Sequence, residues 1–110
     1  MAITADFTDE NGVTHVGAVF KVRNCYVSQK DEVGVEGDPD HEPKVCHMPY
    51  NIDVWHSAAA RDAGASPLNP HHWQRGKISP APTTDAVVAA YGNLKACLEA
   101  DPDVVNVVDI

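Results

Sequence analysis

The sequence predicts an α+β domain: a small antiparallel β-sheet, β-sandwich-like, with one C-terminal amphipathic helix packed on it. Three observations lead there. Residues 13–27 alternate apolar with mixed positions at a period of two. Asp9-Glu10-Asn11-Gly12 supplies a hairpin turn just before them. Residues 83–101 carry the one convincing apolar stripe at helical spacing. Alternation marks a half-buried strand, and recurrence near 3.6 residues marks a helix.

The elements follow in order. Ile3 to Phe7 reads as a short strand. Asn11-Gly12 is a strong hairpin signal, because both residues tolerate positive φ. From Val13 to Val27, Val16, Ala18, Phe20 and Val22 form an apolar face, opposite Gly17, Val19, Lys21 and Arg23. Residues 28–44 change character, with six carboxylates, two lysines, two glycines and two prolines. Such a stretch buries too little apolar surface to offset its ordering entropy, so a long exposed loop is expected.

Val45 to His56 reads as a second long extended segment, with Tyr50, Ile52, Val54 and His56 on one face and Asn51, Asp53 and Trp55 on the other. Pro49 favours an edge or a strand start, since it donates nothing to a ladder. Ser57 to Gly64 suits a short helical turn with a serine cap and a glycine stop. Residues 65–82, with four prolines, read as irregular connections around a short strand near Trp73 to Ile78. Thr83 or Thr84 is the expected N-cap of the helix, whose stripe is Val87, Tyr91, Leu94 and Leu98. Pro102 ends it, and residues 104–110 return as a last strand.

Composition bounds the function. The 110 residues suit a single domain, 1–110, and the net charge of −8 argues against a phosphate-binding surface that needs clustered Lys and Arg. No apolar run approaches the ~18 residues of a membrane span, and the N-terminus lacks the pattern of a signal peptide. No nucleic-acid or membrane partner is therefore expected. Three cysteines do not make a disulfide framework.

Candidate chemistry is sparse. Cys25, Cys46-His47 and His71-His72 are the possible metal ligands, but the close pairs are adjacent residues, which point to opposite faces of a strand. Asp53 and His56 have opposite parity, so an Asp53, His56, Ser57 triad does not converge. No phosphate-binding loop or nucleophile elbow is present. No catalytic residue, metal or cofactor is expected. Trp55 and Tyr50 are interface candidates, because large amphipathic side chains anchor interfaces. The acidic 28–44 segment, with Asp31, Glu32, Glu36 and Asp38, is a candidate docking surface for a basic partner.

Three stretches carry a resemblance. The first is Met1-Ala2-Ile3-Thr4 with Asp9-Glu10-Asn11-Gly12-Val13 and the strand through Ala18-Val19-Phe20-Lys21-Val22. The second runs from Val54 through Ser57-Ala58-Ala59-Ala60-Arg61-Asp62-Ala63-Gly64-Ala65 to Pro67-Leu68. The third is Ala90-Tyr91-Gly92-Asn93-Leu94-Lys95, continuing through Pro102 to Val107-Val108-Asp109-Ile110. In this order they resemble small structural proteins of tailed-bacteriophage virions. Residues 28–44 and His71-His72-Trp73 depart from that pattern. The resemblance implies a non-enzymatic virion component, made in the host bacterial cytoplasm. It implies binding to tail, fibre or portal-proximal proteins as a homo-oligomer or symmetric ring, in the tail or its fibre-attachment region. The alternatives are a capsid decoration or cement protein, and a small binding or regulatory module outside the virion.

Overall fold

The computed structural model describes residues 1–68 and 75–110. Its elements are β1 (Ile3–Thr8), β2 (Thr14–Cys25), β3 (Ser28–Lys30), β4 (Val45–Trp55), α1 (Ala58–Asp62), β5 (Arg75–Ile78), α2 (Ala86–Ala100) and β6 (Val104–Asp109). The strands join in one six-stranded antiparallel sheet, ordered β3-β4-β2-β1-β6, with β5 also paired to β4. The class is α+β. The layering is helix on sheet rather than sheet on sheet, because long β2 pairs with both β1 and β4 and ties the strands together. The last element is the strand β6, so the long helix is internal, and a second, short helix precedes it.

The turn between β1 and β2 is held by Asp9, whose Oδ1 accepts the N–H of Asn11 and of Val13, both at 2.9 Å. Gly12 closes it at φ 79°. Beyond the turn the alternation of β2 is broken. Ala5 faces Ala18 but Phe7 faces His15, so β2 spends one residue more than β1 over this interval. The extra residue is accommodated at Gly17, whose φ of 67° is the left-handed conformation of a bulge. Val16, expected on the apolar face, is therefore 73% exposed, and His15 stacks on Phe7 instead, with ring centroids 4.6 Å apart.

A second bulge lies across β1. The β1/β6 register shifts between Thr4 and Asp6, and Asn106 in β6 has φ 58°. Asp6 spans both irregularities: one carboxylate oxygen accepts the Gly17 N–H at 2.7 Å, the other the Asn106 side-chain amide at 2.8 Å. The Asn106 hydrogen bond first, then the Gly17 N–H, hold the Asp6 carboxyl below its ordinary value of 3.8. A depressed folded-state pKa stabilises the fold above the unfolded value, and that contribution is lost as pH falls through the folded one. Asp6→Asn should lower Tm at neutral pH and flatten the decline of Tm below about pH 4. Thermal melts across that range check it; an unchanged acid limb would remove Asp6 as its source.

The core lies between the sheet and α2. Ile3, Phe7, Phe20, Met48, Tyr50 and Val54 from the strands pack in one cluster with Ala90, Tyr91, Leu94 and Leu98 from the helix. α2 lies against β2, β5 and β6. Its N-cap is Asp85 rather than Thr83 or Thr84: the Asp85 carboxylate accepts the N–H of Val87 at 3.0 Å and of Val88 at 3.1 Å. With the cap so placed, Val87 sits in the first turn and is 47% exposed, so the buried stripe begins at Ala90. α1 lies on β2 and β4 with Ser57 as cap, and Val19, opposite in parity to Phe20, is fully buried.

Tyr91 ties the layers together. Its hydroxyl accepts the Val22 N–H at 3.0 Å and donates to the Met1 carbonyl at 2.8 Å. Tyr91→Phe leaves a buried N–H in β2 unpaired and should cost about 2 kcal/mol. Urea titration would show this as a lower midpoint at unchanged slope, and a loss below about 0.5 kcal/mol would mean that water replaces the bond.

Residues 28–44 are exposed, as expected, but they are ordered as an arm. Cys25 faces Tyr50 and Ser28 faces His47, so β3 continues the β2 register along β4. Tyr26 donates its N–H to the Pro49 carbonyl at 3.1 Å, but proline has no N–H to return. This missing bond separates β2 from β3. The same register reaches the Val33–Glu42 bridge beyond. The arm gives principal extents of 54 × 28 × 22 Å and a radius of gyration of 16.9 Å. A compact chain of this length would have about 13 Å.

Candidate interaction surface

The tip of the arm is built from two successive turns. Asp38 N–H bonds the Val35 carbonyl at 3.0 Å, and His41 N–H bonds the Asp38 carbonyl at 3.1 Å. Reciprocal bonds between Val33 and Glu42, at 2.9 and 2.8 Å, close the tip behind them. Glu32 is engaged by His41 at 3.1 Å and Glu42 by Lys30. Asp31, Glu36, Asp38 and Asp40 have no ion pair among the described residues. Val35 projects among them at 68% exposure. The four acidic candidates Asp31, Glu32, Glu36 and Asp38 are thus gathered on one projecting element, with three of their carboxylates unpaired.

Tyr50 does not join them. Expected at an interface, it is 1% exposed and lies in the core, its hydroxyl donating to the Asn93 side-chain oxygen of α2. Burial first, with Cys97 nearby, pushes the phenol up to about 12, so at neutral pH it is a proton donor. Trp55 lies on the other side of the sheet, in register with Val19. Its indole N–H donates to the Ala65 carbonyl at 2.9 Å, so the ring is half-buried under the chain that follows α1.

A further surface was not visible in the sequence. The β1–β6 pairing brings the ends of the described chain together, with Ala2 and Ile110 exchanging backbone hydrogen bonds at 3.2 and 2.9 Å. Beside them, Met1, Ala2, Lys21, Arg61 and Ile110 line an open cleft of about 330 Å³. Lys21 has no ion pair among the described residues, and Arg61 has only a 3.4 Å contact to the neighbouring Asp62. Asp53, in register with Lys21, is instead engaged by Arg23 at 3.4 Å. The parity of Lys21 was legible. Its convergence with Arg61 depends on where α1 docks, which no local pattern encodes.

Among the described residues no three metal-ligating side chains come together. Cys25 and Cys46 are part-buried thiols and Cys97 is an exposed one. His56 follows the end of β4 and is exposed. His71, His72 and Trp73 lie outside the described residues. No described helix is long and apolar enough to cross a membrane. No protein family, curated protein or solved structure matches the chain.

Proposed function

We propose that this chain is a non-enzymatic structural component of a tailed-bacteriophage particle, binding other virion proteins in symmetric copies in the tail or tail-fibre attachment region. The observation that carries the reading is the arm: an ordered, acidic hairpin held away from the core, with an exposed valine among unpaired carboxylates at its tip. An ordered projection gives a neighbour a preformed contact and avoids the entropy cost of ordering a loop on assembly. Charge on it aids encounter and register. The sequence resemblance supplies the setting.

Density-purified particles from the host that makes this chain provide the test. Mass spectrometry should find the chain at a fixed ratio to the other structural proteins, and immunogold should label the tail or fibre collar. Label over the head would favour the capsid decoration reading instead. Absence of the chain from particles by mass spectrometry would overturn the virion assignment.

A further inference from the structure

We infer that the acidic arm of one copy docks in the Lys21/Arg61 cleft of a second copy, forming a head-to-tail contact between identical chains. The inference rests on the assembly reading above and names the surfaces that such an assembly would use. The two surfaces match in kind. The tip offers Val35 between the unpaired carboxylates of Glu36, Asp38 and Asp40. The cleft offers the exposed apolar side chains of Met1 and Ile110 beside Lys21, which has no ion pair among the described residues, and Arg61, whose contact to Asp62 is long. In a chain with a net charge of −8, such a cleft stands out against the acidic balance.

Geometry excludes the same contact within one chain. Lys21 lies in β2, and the arm continues the β2 register away from it toward the Val33–Glu42 bridge. The twelve residues from Lys21 to Val33, at about 3.3 Å each, set them roughly 40 Å apart along a paired hairpin that cannot fold back. The tip therefore reaches a cleft only on another copy. Because arm and cleft are different surfaces, the contact is heterologous, and repetition closes a ring or extends a filament according to the rotation between copies.

Light scattering on the purified chain over roughly 10–300 μM, at low and high salt, tests this. The wild-type chain should associate with increasing concentration, and salt should weaken it by screening these exposed charges. Lys21→Ala/Arg61→Ala and Glu36→Ala/Asp38→Ala should each associate at least about tenfold more weakly while melting as the wild type does. Mixed together, the two variants should form a one-to-one pair, since one keeps a working arm and the other a working cleft. A wild-type chain that stays monomeric throughout, a double variant that associates normally, or a mixture that forms no pair would each overturn the inference. An association indifferent to both variants leaves the assembly reading standing with other surfaces. Absence of the chain from particles removes that reading without touching the arm-in-cleft contact.

Discussion

Gly76→Ala is expected to destabilise the protein by about 3 kcal/mol, although it adds one methyl group. Gly76 in β5 faces Tyr50 in β4, and the Tyr50 ring lies across the glycine on its way to Asn93. A Cβ at position 76 would overlap the ring at Cζ, the hydroxyl and Cε2, closer than real Cβ atoms approach other atoms. The ring has little room to yield, since it is 1% exposed and its hydroxyl is anchored on α2. Glycine in a strand normally weakens it, so its presence here marks a close approach. In a Tyr50→Ala background, itself strongly destabilised by the lost ring, adding Gly76→Ala should cost less than about 0.5 kcal/mol. Urea titrations of the four chains check the coupling. A Gly76→Ala loss below about 1 kcal/mol would mean that β5 or the ring shifts freely.

Much of this arrangement was legible in the residues, and the parts that were not have specific causes. The hairpin at Asp9–Gly12, the burial of Ile52 and Val54, and the strand at the end of the chain follow from turn chemistry and period-two alternation. Val16 departs from the alternation because one residue of bulge at Gly17 reverses parity for everything on its far side. The chemistry of Tyr50 suggests an interface, but its alternation with Ile52 and Val54 is the better guide, since all three are buried. The 28–44 segment read as a loop from its charge. Its order comes from register inherited across β3 and β4, and not from apolar burial of its own. The Lys21/Arg61 cleft assembles residues from β2, α1 and both ends of the chain, a convergence that only the tertiary fold creates.

Phe20→Ala should cost about 4 kcal/mol, against less than about 0.5 kcal/mol for Val16→Ala four residues earlier on the same strand. Unbroken alternation would put both side chains on one face, and both would then be costly. The bulge at Gly17 separates them instead: Phe20 is fully buried, with Ile3 and Val54 facing it from the two flanking strands, while Val16 is 73% exposed. Phe20 also meets Phe7 edge-to-face, with centroids 5.8 Å apart and planes at 64°, a contact that alanine forfeits along with the buried area. The three cysteines are free thiols, so no disulfide offsets such a loss. A domain of this size has only about 5–15 kcal/mol in hand, so Phe20→Ala should lower Tm by about 15–25 °C or leave the chain partly unfolded. Thermal melts of the two variants side by side decide the matter. Comparable losses at positions 16 and 20 would mean that β2 runs without its bulge, and the Asp6 bridge to Gly17 would fall with it.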